Sequence, residues 1–391
     1  MGNRLKDKAA IVGIGATEFS KESGRSEMRL AVEAISAALA DAGLQPSDVD
    51  GMAVFTMETN PEIQVMRNLG GGDLRFFSRT HYGGGAACST VHHAAMAVAT
   101  GAADVVVCYR AMNERSGRRF GAGVQNRPPM NTAEGASYSW YSPFGLTTPA
   151  SWVAMFAQRY LHEYGLDTDA FGRVSVSGRA FAATNPAAWF YQQPVTLDDH
   201  RKARWICEPL RLLDCCQESD GGVAVVVTSM ERARELKQRP VAIRGSSQGA
   251  GADQHMMTSF YRESLVGLPA MAVAMREVWG SSGLGPNDVQ AAILYDHFTP
   301  FVLVQLEECG FCKPGEAADF VKDGHLDRGG RLPSNTHGGQ LGEAYIHGMN
   351  GVAEGVRLAR GTSVNQIDGV ENVLVTAGTG VPTSALVLGR A

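Results

Sequence analysis

Two stretches far apart in this chain share one pattern, and this repeat constrains the fold more than any other feature. Residues 43–55 read GLQPSDVDGMAVF and residues 283–295 read GLGPNDVQAAILY. In both, a glycine follows an alanine- and methionine-rich helical segment, a Pro-x-Asp turn comes next, and an apolar strand ends the unit. Glycine commonly ends helices, and Pro-x-Asp favours a turn. The repeat therefore predicts two homologous α/β halves.

Each half continues with a glycine-rich turn, a helix and another strand. In the first half the glycines are residues 83–85, the helix ends at Thr100 and the strand covers 104–108. In the second half the turn is 338–339, the helix reaches Arg360 and the strand covers 373–377. Alternating strands and helices favour buried, mainly parallel sheets. We predict halves at 1–240 and 241–391, each with its own sheet, with the two glycine-turn helices central and the active site between the halves.

The region from about 115 to 220 has no counterpart in the second half. It is rich in proline, tryptophan and tyrosine, and 149–164 has the pattern of a helix. A long insertion in a compact domain is commonly functional. We interpret it as a loop subdomain that covers the active site.

The composition excludes several classes of protein. The chain has 391 residues, 44% hydrophobic and 19% charged, with a net charge of -5. These values are typical of a compact globular protein, and no basic run indicates binding to nucleic acid or to a membrane surface. The polar N-terminus leads directly into an apolar strand, and no apolar run is long enough to cross a bilayer. We expect a cytoplasmic protein without membrane insertion.

The seven cysteines are odd in number and scattered, and only Cys309 and Cys312 form a C-x-x-C pair. A structural zinc site would require a second pair of ligands. We therefore expect reduced thiols and no bound metal, which agrees with a cytosolic location.

Several motifs, in their order along almost the whole chain, resemble those of one enzyme family. They include YLHEYG, VSVSGRAFAATNPAA and CEPLRLLDCCQESDGGVAVVV, then YDHF at 295–298 and NTHGGQLGEAYIHGMNG at 335–351. Together they resemble the thiolase superfamily, and more narrowly the sterol-carrier-protein-type thiolases and their bacterial lipid-transfer-protein branch. That branch includes enzymes of steroid side-chain degradation. The resemblance implies a thiolase fold of two βαβαβαββ halves in a five-layer αβαβα arrangement, and a homodimer joined through edge strands of the first half.

The resemblance also shows which family residues this chain lacks. The family's nucleophilic cysteine belongs at Gly84, and Cys88 lies four residues further, about 5–6 Å along a helix axis. Tyr295 replaces the family's Asn or His, and Tyr345 replaces its catalytic His. The last glycine-rich loop, VTAGTGVP around Gly378, lacks the family's second cysteine.

These positions define the candidate site. Tyrosines are often core residues, and Cys88 fits a buried helix thiol, but the joint loss of the family's catalytic residues favours a catalytic role for Tyr295 and Tyr345. The residues that the resemblance places around the substrate and its oxyanion are Gly84, His297, His337, Gly339, His347 and Gly378.

The reaction that survives these replacements is a retro-aldol cleavage. Thiolysis needs a nucleophile to trap the acyl group, whereas cleavage of a β-hydroxy acyl-CoA needs one base, one acid and an oxyanion site. We assign Tyr345 as the base for the β-hydroxyl and Tyr295 as the residue that protonates the enolate or holds the thioester oxygen. A phenol with a pKa near 10 costs roughly 4 kcal/mol to ionise at pH 7, so the site must lower that pKa or relay the proton through His297, His337 or His347.

A tertiary β-hydroxyl suits this chemistry, because it cannot be oxidised to the ketone that thiolysis requires. Branched steroid side chains create such a hydroxyl when they are hydrated. We therefore predict a steroid side-chain CoA thioester as substrate, cleaved to a ketone and a short acyl-CoA. Coenzyme A enters only as part of the substrate.

Other interpretations stay open at this point. The chain could be a true β-ketoacyl-CoA thiolase that uses Cys88, or a non-catalytic acyl-CoA or lipid carrier. It could also be a scaffold for a catalytic partner, because members of the branch often pair with a small zinc-ribbon/OB-fold protein, frequently attached to a hydratase. We expect such a partner to contact the aromatic-rich insertion. The basic residues Arg201, Lys202 and Arg204 are either a contact for CoA phosphates or a solvated turn.

Overall fold

The computed structural model describes residues 5–123, 129–252, 257, 262–380 and 383–391. In this part of the chain the strands are β1 Ala9–Ala16, β2 Gly51–Phe55, β3 Phe76–Thr80, β4 Val105–Asn113, β5 Trp205–Cys207, β6 Leu210–Arg211, β7 Asp220–Ser229, β8 Val241–Gly249, β9 Ala291–Ile293, β10 Asn372–Ala377 and β11 Thr383–Arg390. The α-helices are α1 Glu27–Ala42, α2 Glu62–Leu69, α3 Ala87–Thr100, α4 Ala133–Tyr141, α5 Pro149–Tyr164, α6 Asp169–Thr184, α7 Leu197–Lys202, α8 Met230–Ala233, α9 Pro269–Ser282, α10 Thr299–Glu308, α11 Ala317–Lys322, α12 Gly339–Gly342 and α13 Met349–Arg360. Short 3-10 helices connect several of them, including Gly84–Ala86 directly before α3.

The strand order of the sheet is symmetric about the neighbouring strands β1 and β8. Nine strands follow the order β3-β2-β4-β7-β1-β8-β11-β10-β9, so that β1, β7, β4 and β2 match β8, β11, β10 and β9. An isolated bridge between Ala292 and Ser334 occupies the place next to β9 that β3 has next to β2. This mirrored order is that of two α/β halves related by a pseudo-two-fold axis between β1 and β8. The boundary at residue 240, directly before β8, is a proposal that the order supports.

The expectation that each half has a sheet of its own is wrong. β1 and β8 pair antiparallel through Ala10 with Ala242 and Ile11 with Val241, so the strands form one sheet. The first strands of the two halves are adjacent at the pseudo-two-fold axis, where their free edges satisfy each other's backbone groups. A joined sheet does not exclude homologous halves, because the pairing links only these two strands.

The alternation of buried side chains along the strands separates the layers. Ile11, Val106 and Val375 point into one core that also contains α3 and α13. The neighbouring positions point outward, Val12 and Val105 with α1 in a second core, and Leu374 with α9 and α10 in a third. The prediction that the two glycine-turn helices are central is confirmed, and the layers are those of an αβαβα fold.

Local sequence signals set the ends of the repeated helices. Gly43 ends α1 and Gly283 ends α9, at φ 76° and 68°, in the left-handed region that glycine adopts without strain. The predicted helix at 149–164 is confirmed as α5, where Thr148 caps the first turn, Pro149 occupies the first position and Gly165 ends the helix.

The insertion lies between the adjacent strands β4 and β7. It contains α4 to α7 and the two-stranded hairpin of β5 and β6. None of the helices in the described ranges combines the length and apolarity needed to cross a bilayer.

The second half departs from its predicted helix at one important place. The helix expected between Gly339 and Arg360 is divided into α12 and α13, with residues 343–348 between them. His347 and Gly348 have φ of 49° and 84°, which no α-helix accommodates. This break places Tyr345 on a loop at the end of the central layer.

Candidate active site

Tyr295 and Tyr345 meet between the halves. Their hydroxyl oxygens are 3.3 Å apart, within hydrogen-bond distance. Tyr345 lies on the loop between α12 and α13, where its backbone N–H donates to the Ser219 hydroxyl at 3.1 Å. The two hydroxyls therefore form one connected pair, contributed by two segments of the second half.

The backbone of Tyr295 is held by side chains rather than by a strand. The repeat predicts a strand to residue 295, but β9 ends at Ile293. The Tyr295 N–H donates to Gln305 Oε1 at 3.2 Å and Thr376 Oγ1 at 3.0 Å, and its carbonyl accepts from Gln305 Nε2 at 2.8 Å. These bonds replace strand pairing and direct the buried ring towards the N-terminus of α3.

The Tyr295 hydroxyl occupies the space that a side chain at residue 84 would need. A Cβ built on Gly84 would be 1.5 Å from the Tyr295 hydroxyl oxygen and 2.2 Å from its Cζ. Gly84 is not among the glycines with positive φ, so its backbone accepts any L-residue. The tyrosine, not the turn, requires glycine here. Gly348 borders the same edge of the ring, where a Cβ would be 3.0 Å from Tyr295 Cε2.

His347 is buried next to Tyr345 and is held in one orientation. Its Nδ1 accepts from Arg110 Nε at 3.1 Å, and Arg110 pairs with Glu58 at 3.0 Å. Burial lowers the pKa of His347 well below its ordinary value, and the nearby Arg110 charge lowers it further. The imidazole is therefore neutral, and because Nδ1 accepts, the proton belongs on Nε2. That side of the ring faces the glycine turn, since a Cβ on Gly83 would be 3.3 Å from Nε2.

His297 connects Tyr295 to the last glycine-rich loop. Its ring stacks on Phe301 with centroids 5.2 Å apart, and its Nε2 is 3.3 Å from the Thr379 hydroxyl. Burial lowers the pKa of His297 to about 3, so the ring stays neutral. Gly378 opens this loop with φ 77°; residues 381 and 382 of the motif lie outside the described residues.

His337 and Gly339 lie on the other side of the α12 turn. The His337 ring is buried, with Nε2 3.9 Å from Glu343 Oε2. A Cβ on Gly339 would be 1.9 Å from Asp296 Oδ2, and Asp296 accepts from the Gln340 N–H at 2.8 Å. Both residues shape the loop that carries Tyr345 and lie beside the Glu343 and Asp296 carboxylates, and no hydrogen bond among the described residues joins them to the tyrosine hydroxyls.

Of the two ways to use a tyrosine as a base, a lowered pKa and a proton relay, the first is not found in this structure. Burial raises the pKa of Tyr295 and Tyr345, and the acidic neighbours Glu114 and Cys216 raise both further. The expected histidine relay also differs from the structure, because His297 and His347 contact the tyrosines through their rings, at centroid distances of 4.7 and 5.1 Å. Both phenols therefore rest protonated, and a reaction must move their protons together.

Cys88 does not have the environment of a nucleophile. It is fully buried in α3, its thiol donates to the Val375 carbonyl with Sγ and oxygen 3.6 Å apart, and burial raises its pKa. A reactive cysteine requires the opposite, a stabilised and accessible thiolate.

We expect Cys88→Ala to retain most of the activity, because its sulfur only fills the core. The measurement is kcat for cleavage of a β-hydroxy acyl-CoA, with iodoacetamide treatment of the wild type as a second probe. A loss beyond roughly a hundredfold, about 2.7 kcal/mol, in a variant that remains folded would support the thiolase alternative instead.

Sequence reasoning missed several residues that complete the site. Glu58, Arg110 and Glu114 belong to the first half, and no motif marked them. Asp296 stands within the YDHF motif, which was a usable signal. Arg201 and Lys202, considered for CoA phosphates, form exposed ion pairs with Asp169 and Asp198. Their charges are thus already partnered in this structure.

Comparisons with known proteins agree on one family. Residues 250–390 match the family model described as thiolase C-terminal domain-like. A steroid side-chain-cleaving aldolase of Thermomonospora curvata is 66% identical over 385 residues, covering 98% of each chain. The 17-hydroxy-3-oxo-4-pregnene-20-carboxyl-CoA lyase of Mycobacterium tuberculosis is 65% identical over 386 residues, covering 98% of this chain and 100% of the relative.

A solved structure described as an Ltp2-ChsH2(DUF35) aldolase also superposes on the chain. It matches with a TM-score of 0.95 and 65% identity, covering 99% of this chain and 98% of that one. The fold, its length and its sequence thus agree with one group of proteins from end to end.

Proposed function

This chain belongs to the family of steroid side-chain-cleaving aldolases, which have a thiolase fold, and from this membership we propose that its tyrosine pair catalyses the retro-aldol cleavage of a β-hydroxy acyl-CoA. The observation that carries the proposal is the Tyr295 hydroxyl in the space beside Gly84. A nucleophile cannot stand at that position while Tyr295 does. The site supports proton transfer and not acyl transfer.

The substrate that fits is a steroid CoA thioester with a tertiary β-hydroxyl. The name of the Mycobacterium tuberculosis relative places a hydroxyl at carbon 17 and a carboxyl-CoA at carbon 20. Carbon 17 is then β to the thioester carbonyl and carries no hydrogen, so dehydrogenation cannot activate it. Cleavage between carbons 17 and 20 yields a 17-ketone and a short acyl-CoA.

The proton transfers balance when Tyr345 works with a neighbouring base. Tyr345 accepts the β-hydroxyl proton as it releases its own proton to that base, the O–H electron pair forms the ketone, and the carbon–carbon pair becomes the thioester enolate. Tyr295 then protonates the enolate carbon and takes a proton from Tyr345 over the hydrogen bond of 3.3 Å, and the base returns its proton to Tyr345. No redox change occurs, so we propose that the reaction needs no cofactor beyond the CoA of its substrate.

The enolate oxygen has a suitable place at the glycine turn. The turn at 83–85 leads into α3, and the N-terminus of a helix stabilises negative charge. The neutral His347 presents Nε2–H on the same side, and neutral donors aimed at a developing oxyanion are effective in a buried site. Arg110 and Glu58 support this role by holding the His347 ring.

The direct experiment is a product assay on matched CoA thioesters. The tertiary β-hydroxy steroid thioester should yield the ketone and the short acyl-CoA without added free CoA. The β-keto counterpart with free CoA should not be cleaved. CoA-dependent cleavage of the β-keto compound would support a thiolase, and tight binding of both thioesters without turnover would support a carrier.

The chain is further proposed to work in a complex. The solved structure is described as a complex of the relative with a DUF35 protein, which agrees with the zinc-ribbon/OB-fold partner expected for this chain. Large apolar side chains of the insertion are exposed, with Trp140 at 76% and Phe144 at 78%. We propose this patch as the partner contact. β3 is an edge strand of the sheet with Phe77 exposed, which suits the expected homodimer.

One experiment can distinguish the partner contact from the homodimer contact. Replacing Trp140 and Phe144 with serine should abolish co-elution with the DUF35 partner and leave the homodimer intact. Phe77→Asp should have the reverse effect, because it places a charge on the β3 edge. Size-exclusion chromatography with light scattering measures both masses. The assignment is wrong if the first variant still binds the partner while the second does not.

The free thiols support a reducing compartment. All seven cysteines are unpaired, although disulfides are common in secreted proteins. We therefore propose the cytoplasm as the location of this enzyme.

A further inference from the structure

A buried carboxyl group next to the tyrosine pair has no role in the reaction described so far. Glu114 follows β4 and is only 3% exposed. Its Oε2 has no hydrogen-bond partner among the described residues. Burying a carboxyl group is costly unless its hydrogen-bonding capacity is used, so a half-satisfied one in an active site indicates a function.

Two chains of contacts connect Glu114 to Tyr345. The backbone N–H groups of Ser219 and Phe120 face the carboxyl. The Ser219 hydroxyl accepts from the Tyr345 N–H, and Phe120 stacks on His347 at 5.4 Å. His347 in turn lies 5.1 Å from the Tyr345 ring. The carboxyl is thus connected to Tyr345 through Ser219 on one side and through Phe120 and His347 on the other.

A protonated phenol can accept the substrate proton only if its own proton moves on. We propose that Glu114, as a carboxylate, takes the proton of Tyr345 while Tyr345 takes that of the β-hydroxyl. This inference rests on the proposed function and deepens it. Glu114 holds the proton while the enolate exists. Tyr295 then protonates the enolate carbon and receives a proton from Tyr345. Finally, Glu114 returns its proton to Tyr345. One proton leaves oxygen, one reaches carbon, and no other reactant is needed. Glu114 acts through Tyr345 and is a positioning residue for its proton.

The charges around Glu114 suit a strong carboxylate base. Burial raises its pKa well above the ordinary value, and repulsion from Glu218 adds to the shift. A base with a pKa closer to the working pH accepts a proton more readily. The titratable and charged groups that face it are Glu218, Arg110, Lys21, Cys216, Tyr295 and Tyr345.

His297 and His347 do not titrate in the pH range in which Glu114 loses its proton. The pKa of His297 is lowered to about 3 and that of His347 well below its ordinary value. Lys21, whose pKa burial lowers to about 8, titrates on the alkaline side. We therefore expect kcat to rise with pH as Glu114 loses its proton, with a midpoint above the ordinary glutamate value of 4.5.

The test compares pH profiles of kcat for matched variants in the complex with the partner. Glu114→Gln keeps the shape of the side chain, and we expect a loss of about 10²–10⁴-fold with no acid limb remaining. Glu218→Gln removes the repulsion and should move the acid limb to lower pH. Glu307→Gln is the control, because Glu307 is a half-buried carboxyl that accepts a hydrogen bond of 2.6 Å from Tyr160 but lies in the outer layer.

Stability distinguishes this role from a structural one. Because the folded pKa of Glu114 is raised, the wild type loses stability as pH rises from the unfolded glutamate pKa through the folded one. Glu114→Gln lacks that loss, so its Tm should equal or exceed that of the wild type at neutral pH. Binding of a substrate analogue without the β-hydroxyl should be unchanged.

Two outcomes would overturn the role of Glu114. One is a wild-type rate and pH profile in Glu114→Gln. The other is a lower Tm together with lost analogue binding, which would show that the carboxyl only maintains the fold. Absence of cleavage by the wild-type complex itself would instead reject the proposed function.

Discussion

Tyr345→Phe is expected to lower kcat for retro-aldol cleavage by about 10²–10⁴-fold, the range found when a general acid or base is removed. The variant loses the oxygen that accepts the β-hydroxyl proton and breaks the link between Tyr295 and Glu114. Folding should persist, because only one hydrogen bond of 3.3 Å is lost, a change of about 1 kcal/mol. The measurement is kcat with the partner present, alongside a thermal melt.

Tyr160→Phe is the matched control for this variant. Its hydroxyl donates to Glu307 Oε1 at 2.6 Å, but Tyr160 lies on α5 of the insertion, in an outer layer. It should lose some stability and keep its rate. If Tyr160→Phe loses as much activity as Tyr345→Phe, the lower kcat reflects a loss of stability and not the loss of a catalytic hydroxyl.

Tyr295→Phe separates the two hydroxyl roles. If Tyr295 protonates the enolate carbon, this variant should lose exchange of the α-hydrogens of the short acyl-CoA product with deuterated water. Tyr345→Phe should keep more of that exchange. Near-normal cleavage by both variants would contradict the mechanism, and unchanged acyl-CoA binding with no turnover defect in the double variant would favour the carrier interpretation.

Gly84→Ala is expected to inactivate the enzyme through Tyr295. The new Cβ would be 1.5 Å from the Tyr295 hydroxyl, so the ring must move. This displacement is resisted, because three hydrogen bonds hold the backbone of Tyr295. Overpacking of this kind costs about 1–3 kcal/mol, and displacement of a catalytic group by about 1 Å can cost about a hundredfold in rate. The measurements are kcat and the free energy of unfolding.

A double-mutant cycle tests whether the ring causes the effect. In a Tyr295→Ala background the ring is absent, so Gly84→Ala should cost less stability than in the wild type. Gly72→Ala serves as the control, because a Cβ there meets nothing within 4 Å. Equal costs of Gly84→Ala in both backgrounds would show that the turn, and not Tyr295, requires glycine.

Local patterns in the sequence were sufficient for the two-half organisation but not for the sheet, in which most strand pairings are antiparallel and not parallel as predicted. The repeat predicted two halves because its helix ends and turns depend on neighbouring residues, and Gly43 and Gly283 end α1 and α9 as that pattern requires. The capping pattern of Thr148 and Pro149 likewise marks the start of α5. The candidate tyrosines followed from their motifs, although their roles are still predictions.

The sequence by itself thus determined the two-half organisation, the helix ends and the residue types available for chemistry. Only the tertiary structure decided that β1 and β8 join the sheet, that Tyr295 fills the space beside Gly84, and that burial raises the pKa of both tyrosines. Glu114 joined the site in the same way, from a strand end in the other half. The physical reason is distance along the chain: helix ends depend on adjacent residues, whereas burial and hydroxyl contacts depend on segments that meet only after folding.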